Sequence, residues 1–514
     1  MNWTSGYVTE IDYPHGYYRE LAPSSMALAA TVAGVSTAIG ERPLRYLELG
    51  CGQGLSLNVH AAAGEGEFWG TDFNPAQARN AQHLAAAAGS GARIFDASFE
   101  ELLDQPDLPE FDVIALHGTW SWVSAENRAT IVDLVRRKLG VGGVLYISYN
   151  CQPGWSVDMP LRQLMAMHAE RAGTSRALPQ RIDEALAFAQ SLADAGSGYF
   201  RAHPSSVEWL KRVHTQGRNY LAHEYFNRDW QPMYFAEVAQ AFTEAKLTFA
   251  GTATLLDPVQ RDTLPEPARK VLSGITDPLM HETAVDYLSN QRFRRDLFVK
   301  GPLHIAPAGR KERLLDTPFM LLSPPADIPM KLAVGGGEIN LQENIYRPLI
   351  EAMADKAGAP RTVRELQADP RCRKIPYGQI VQGMQVLCGT GFAHTAQPRA
   401  AIDKASQRCK ALNDHLLARA RVSEQVEILA SPVTGIGIPV LRFQQLFLLS
   451  MQQGARKRSE WTRFAWDTLQ AQGQRLVKAG KAIDSPEENL KELEIQAAQF
   501  ETGRLPVLKA LGIA

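Results

Sequence analysis

Hydrophobic and polar positions over the first 150 residues alternate between two periods. Short apolar runs fill Arg45 to Leu49, Glu67 to Thr71, Ala92 to Phe95, Phe111 to Leu116 and Val144 to Tyr149, and each has the length of a strand. Between them lie stretches with helical spacing: Leu55 to Ala63, the Ala-rich Pro75 to Ala88, and Glu126 to Leu139, which Gly140 is expected to stop. Residues 24–39 are small and apolar and predict a packed helix ahead of the first strand, with Ser24 or Ser25 as its cap. Strands separated by helices of about 10–15 residues predict right-handed βαβ units and a parallel sheet.

After Pro153 the strand pattern stops, and residues 161–227 read as helical, punctuated at Gly173, Pro179, Gly196 and Pro204. Strand-like runs return at Leu247 to Leu255 and Phe293 to Val299, the latter preceded by a helix around Glu282 to Ser289. The later piece has too few strands to stand alone. The economical division is therefore a core of residues 1–155 and 232–302, interrupted by a helical insertion, residues 156–231. Pro324, Pro325 and Pro329 followed by Gly335, Gly336 and Gly337 mark a boundary. Beyond it, helices at Ile345 to Ala357, Thr362 to Leu366 and Tyr377 to Leu387 and a strand at Phe392 to Thr395 suggest a winged-helix-like unit over 331–400. Residues 401–514 read as mostly amphipathic helix, with Pro432 to Val440 as an irregular buried connector. The expected class is α/β, a Rossmann-like core with an inserted helical domain, a winged-helix-like domain and a helical C-terminal domain.

Composition narrows the function. The 514 residues are 45% hydrophobic and 21% charged, and no apolar run approaches the roughly 20 residues a bilayer span needs. The first twenty residues lack a basic start and an apolar stretch, so nothing reads as a signal peptide and a cytoplasmic location is expected. The five cysteines, Cys51, Cys151, Cys372, Cys388 and Cys409, show no CxxC spacing, which argues against a disulfide framework and a zinc site. The near-balanced total of 54 basic and 55 acidic residues hides an uneven distribution: residues 1–150 carry 9 basic and 17 acidic side chains, a net of −8. Such a surface suits a cationic or neutral substrate and not a phosphate backbone. The +3 of residues 331–400 is weak, and Arg371, Arg373 and Lys374 read as a solvated loop, so no nucleic-acid partner is expected.

The informative stretch is Tyr46-Leu47-Glu48-Leu49-Gly50-Cys51-Gly52-Gln53-Gly54. A strand running into three spaced glycines lets the backbone approach a ligand closely, and the next helix offers free amide groups. Such a turn serves dinucleotides or S-adenosylmethionine. The spacing is GxGxG, where pyrophosphate binders have GxGxxG, and Glu48 would repel a pyrophosphate but attract amino and sulfonium charges. Asp72, 22 residues after Gly50, ends the second strand, where a carboxylate can accept both ribose hydroxyls. Asp96 ends the third, within reach of an adenine amino group. Both aspartates have the alternative of capping the helices that follow.

With these motifs the chain resembles the class I S-adenosylmethionine-dependent methyltransferases over residues 40–150. It is more narrowly similar to the subgroup with a methyltransferase regulatory domain, which includes bacterial lysine methyltransferases acting on outer-membrane proteins. That similarity rests on His117-Gly118-Thr119-Trp120-Ser121-Trp122-Val123, on Ser148-Tyr149-Asn150 with Pro153-Gly154-Trp155, and on His223-Glu224-Tyr225 with Trp230, Pro232 and Tyr234-Phe235. It implies methyl transfer from S-adenosylmethionine to lysine side chains of a protein, and homodimerisation through the inserted helices. The expected cofactor residues are Glu48, Gly50, Cys51, Gly52, Gly54, Asp72, Phe73, Asp96, Ala97, Ser98 and His117. The expected catalytic residues are Tyr17 and Tyr18 as a lid, His117, Trp120, Tyr149 and Asn150, with no metal. Trp120, Trp122, Tyr149 and Trp155 have the alternative of being core aromatics instead of a cage for an amine. His223-Glu224 lacks the rest of an HExxH motif and reads as a structural contact or a cleft lining. A small-molecule methyltransferase and a non-enzymatic cofactor-binding module are the rival functions.

Overall fold

A computed structural model describes residues 4–514 apart from 5, 12, 174, 335, 336, 479 and 480. Gly335 and Gly336 of the expected boundary thus lie outside the described residues. Seven strands form the central sheet: β1 (Leu44–Leu49), β2 (Gly66–Asp72), β3 (Arg93–Asp96), β4 (Phe111–Leu116), β5 (Leu139–Asn150), β6 (Leu247–Thr252) and β7 (Phe293–Lys300). Their order is β3-β2-β1-β4-β5-β7-β6. The first five are parallel, and β7 runs antiparallel to both β5 and β6. The late strands therefore complete the early sheet, and it is a Rossmann-like core.

The crossover helices are α2 (Leu55–Ala63), α3 (Pro75–Ala88), α4 (Phe99–Leu103) and α5 (Ala125–Lys138). Ahead of β1, helix α1 (Pro23–Ala33) is shorter than the expected 24–39 because Gly34 takes a left-handed φ of 78° and closes it. Pro23 begins the helix, and neither Ser24 nor Ser25 caps it. Val35 and Ser36 instead pair with His304 and Leu303. Helix α5 ends at Lys138, and Leu139 enters β5 directly, so Gly140 lies in the strand and is not the stop.

The insertion comprises α6 (Met159–Arg171), α7 (Leu178–Asp194), α8 (Gly198–Ala202), α9 (Pro204–His214) and α10 (Arg218–Tyr225), packed around a core of their own. Between the insertion and β7 lie α11 (Phe235–Thr243), α12 (Leu256–Asp262), α13 (Glu266–Ser273) and α14 (Pro278–Ser289). The third unit begins before the prolines and not at 331: α15 (Pro307–Asp316) precedes β8 (Pro318–Leu321), which pairs antiparallel with β9 (Arg361–Thr362) and β10 (Ala393–Thr395). Helices α16 (Glu343–Gly358), α17 (Val363–Ala368) and α18 (Tyr377–Gly389) share one apolar core with that small sheet. The remaining chain is helical from α19 (Arg399–Arg419), and its Pro432–Val440 connector holds half of a hairpin, Ile428–Ala430 against Gly437–Pro439. This C-terminal region shares a single core with Leu55, Val59, Ala62 and Ala63 of α2 and Leu84 and Ala88 of α3. All nine residues of α2 are buried as a result.

Behind the sheet edge one buried arginine organises three carboxylates. Arg294 on β7 bonds Asp286 at 2.6 Å and Glu282 at 3.0 Å, both from α14, and its neighbour Asp296 at 2.8 Å. Tyr149 on β5 donates to Asp296 at 2.7 Å. Removing one partner of a buried ionic cluster costs about 3–5 kcal/mol because charge is left uncompensated. Arg294→Met is accordingly expected to lose about that much unfolding free energy in urea titrations; an unchanged midpoint would show the cluster to be energetically neutral.

Candidate active site

A cavity opens at the carboxyl ends of β1 to β4, the edge where open α/β sheets bind ligands. Glu48 and Gly50 reach it from β1, Asp72 and Phe73 from β2, Ala97 and Ser98 from β3, and His117 and Gly118 from β4. Gly50 and Gly52 hold left-handed φ angles of 72° and 54°, which glycine adopts without penalty. A Cβ on Gly50 would come within 2.8 Å of Thr119 Oγ1, whereas one on Gly52 would meet only ordinary contacts at 3.6 Å. Cys51 also lines the cavity. Gly54 does not line it: its missing side chain makes room for Ala81, whose Cβ would lie 2.3 Å from an added Cβ, so this glycine packs α2 on α3.

Two buried carboxylates face the space. Asp72 accepts the Gly52 amide at 2.9 Å through Oδ2 and the Asn74 amide at 2.9 Å through Oδ1. Each oxygen keeps a lone pair for a hydroxyl. Burial pushes Asp72 up to about 6, with those two amides opposing the shift. Glu48, with the Tyr46 hydroxyl at 3.3 Å, is pushed by burial up to about 8. No Lys or Arg is among the described residues lining this cavity. A pyrophosphate would meet two carboxylates and no compensating cation there, while a ligand with an amino group, a sulfonium and ribose hydroxyls would find suitable partners. The residues fit S-adenosylmethionine.

Asp96 departs from expectation. Its side chain at the end of β3 is exposed and outside the cavity lining. Ser98 caps α4 with its side chain, accepting from Glu101.

A second cavity of about 470 Å³ shares the wall Tyr7, Tyr13, Tyr18, His117, Gly118 and Trp122 with the first. Its far side comes from Trp155 just ahead of the insertion, from Trp209, Tyr220, Glu224 and Tyr225 of the insertion, and from Phe293 of β7. The amino-terminal segment roofs both spaces. It is strapped to the insertion through Val8 to Asn227 at 2.8 Å, the Arg228 amide to the Gly6 carbonyl at 3.0 Å, and Glu10 to Arg181 at 2.9 Å. Tyr18 then stacks on His117 with ring centroids 3.8 Å apart.

The expected catalytic residues divide. Tyr18, His117 and Asn150 line the second cavity. Tyr17 faces away: its hydroxyl accepts the Gly437 amide at 2.6 Å and lies 3.2 Å from His60 Nε2, tying the strap to the C-terminal region. Trp120 is a core residue packed on Phe242, and Tyr149 is buried on Asp296. His117 is a poor proton carrier, because burial pushes its imidazole down to about 3, Glu20 opposing and Arg295 reinforcing; its Nδ1 lies 2.9 Å from the Tyr146 hydroxyl. Asn150 Oδ1 accepts the Trp155 indole at 3.2 Å. Sequence reasoning missed Tyr7 and Tyr13, which carry no motif of their own and enter through a strap held by non-local bonds. Among the described residues no cluster of three His, Cys, Asp or Glu could hold a metal, and no helix is long and apolar enough to cross a membrane.

Two outcomes follow from the first cavity. Asp72→Ala should weaken S-adenosylhomocysteine binding tenfold or more in calorimetry, since a hydrogen bond to a charged group contributes about 1.5–3 kcal/mol; unchanged affinity would remove Asp72 from the site. Glu48 titrates near 8 in the folded chain against an ordinary 4.5, so the folded state keeps a proton that the unfolded state releases. Stability is therefore lost as pH rises between those values. Glu48→Gln should gain thermal stability relative to the parent on going from pH 5 to pH 8; parallel melting curves would contradict the burial argument.

Comparison with known proteins agrees with this geometry. Residues 47–143 match the family model described as a methyltransferase domain, and residues 217–300 match that of a predicted methyltransferase regulatory domain. The latter covers α10 and the strands that complete the sheet, and not the bulk of the inserted helices. The uncharacterized protein sll1526 of Synechocystis is 38% identical over 516 residues, covering 100% of both chains. The uncharacterized protein RP789 of Rickettsia prowazekii is 26% identical over 58% of this chain and 53% of its own. In fold, PKMT2 of Rickettsia typhi, solved in complex with AdoHcy, matches with a TM-score of 0.71 at 18% identity over 97% of this chain and 100% of its own. The chain belongs to the class I S-adenosylmethionine-dependent methyltransferases that carry a methyltransferase regulatory domain.

Proposed function

We propose that this methyltransferase N-methylates lysine side chains of a protein substrate. The observation that carries the reading is the second cavity, which adjoins the cofactor pocket through six shared wall residues and adds the rings of Trp155, Trp209, Tyr220, Tyr225 and Phe293 and the carboxylate of Glu224. In this reading Glu48, Gly50, Cys51, Gly52, Asp72, Phe73, Ala97 and Ser98 hold the cofactor, and the second cavity receives the acceptor. When bound, S-adenosylmethionine supplies an electrophilic methyl group on a sulfonium. The chain's own contribution is mainly proximity and orientation of the two reactants.

A lysine amine must shed its proton before it can act as a nucleophile. The aromatic wall withdraws it from water and lowers its pKa, while the faces of Tyr7, Tyr13, Tyr18 and Trp122 attract it as it enters as a cation. Burial pushes Tyr7, Tyr13 and Tyr18 upward, so their hydroxyls stay neutral and serve as hydrogen-bonding groups, not as bases. The net −8 of residues 1–150 favours approach of a cationic segment.

Incubation with radiolabelled S-adenosylmethionine and a bacterial membrane-protein extract tests the reading. Label in a protein band, recovered on hydrolysis as methyl-lysine, is the expected result. Label confined to small molecules would overturn it.

A further inference from the structure

The lysine-directed reading leaves open which group receives the amine, and the second cavity contains one candidate. Glu224 is the sole carboxylate among the described residues that line it. It sits in the last turn of α10, whose end is fixed by the Trp122 indole donating to the Glu224 carbonyl at 3.2 Å. The side-chain carboxylate accepts no hydrogen bond from any described residue and has no ion pair within 4.0 Å. Arg162 stands behind it, but is itself bonded to the Asn227 carbonyl and lies 5.0 Å over the Trp230 ring. Burial pushes Glu224 up to about 7, with Arg162 opposing. Glu224 is half-buried and opens on the cavity, and a carboxylate withdrawn from water without a bonded partner is a candidate site for a ligand that supplies one.

The three arginines on the same cavity do not fill that role. Arg292 bonds Asp158 at 2.6 Å and lies 4.1 Å over Trp155, Arg295 lies 3.4 Å from Glu20, and Arg212 is exposed. Resting on the proposed function above, we infer that Glu224 anchors the incoming ammonium and then takes its proton. The carboxylate accepts one proton, which leaves a lone pair on the nitrogen. That lone pair forms the new N–C bond to the methyl carbon as the C–S bond breaks and its electrons return to sulfur, yielding a thioether and a methylated ammonium. Glu224 releases its proton to solvent before the next turnover. A base whose affinity for protons matches the working pH is the efficient choice for such a transfer.

The test is a binding measurement on the full chain with two adenosyl amino-acid analogues in which nitrogen replaces sulfur. One carries a 4-aminobutyl arm, the other a butyl arm. The parent protein should bind the amino-armed compound at least tenfold tighter, Glu224→Gln should reduce that preference to within twofold, and Glu224→Asp should retain part of it. The butyl-armed compound should bind all three proteins alike, which reports that the pocket is intact. A preference that survives in Glu224→Gln would overturn the role of Glu224 and leave lysine methylation standing. A loss of butyl-armed binding in that variant would make Glu224 structural and overturn the role equally. No preference in the parent protein would overturn the amine site and the lysine reading together.

Discussion

Withdrawal of carboxylates from water without a bonded cation is the constraint around which the active edge is built. A carboxylate at the open end of a parallel sheet would ordinarily be solvated and ionised at neutral pH. Here the amino-terminal strap, the insertion and the late strands close over that edge, and Glu48, Asp72 and Glu224 are all shifted upward by desolvation. The closing elements come from distant parts of the sequence. Their placement converts an open sheet edge into two adjoining cavities, the first lined by Glu48 and Asp72 and the second by Glu224 together with Arg212, Arg292 and Arg295.

The strap carries this placement between domains. Tyr17 is pinned to Gly437 of the C-terminal hairpin, the Tyr18 amide donates to Ser56 at the start of α2, and Arg19 reaches the Gly389 carbonyl at the end of α18. Helix α2 is itself held between the sheet and α19. The regions beyond residue 300 therefore do more than extend the chain. They set the position of the segment that presents Tyr18 to His117, and a shift of the C-terminal helices would be felt at the cavity wall through contiguous packing.

Much of the core was legible because its periodicity is local. Phe111–Leu116, Leu55–Ala63 and Pro75–Ala88 fall where the apolar pattern puts them, and the glycine turn with Glu48 and Asp72 identifies the cofactor from a few residues. The second cavity was not legible, because it depends on which of two neighbours faces it. Tyr18 lines it and Tyr17 does not; Asn150 does and Tyr149 does not; Trp122 does and Trp120 does not. On the strand, successive side chains point to opposite faces, and at a strap or short turn the direction is set by partners hundreds of residues away. The start of the third unit was hidden for a related reason. The four residues of β8 have no local pattern and are defined by pairing with Arg361–Thr362 and Ala393–Thr395.

The same molecule contains its own control for the argument about uncompensated acids. Glu282, Asp286 and Asp296 are as buried as Glu48 and Asp72, yet each bonds the Arg294 guanidinium. This chain thus supplies a fixed cation where a buried carboxylate serves only the fold. At the two cavities it does not: Asp72 is satisfied by backbone amides alone, Glu48 by a tyrosine hydroxyl, and Glu224 by no hydrogen bond from a described residue. A fixed arginine there would stabilise the ionised acids and also occupy the lone pairs that a ribose, an amino group or an ammonium must use. Those three positions keep lone pairs that no fixed cation occupies, and that difference between the two sets of carboxylates is what supports reading one set as structural and the other as the site.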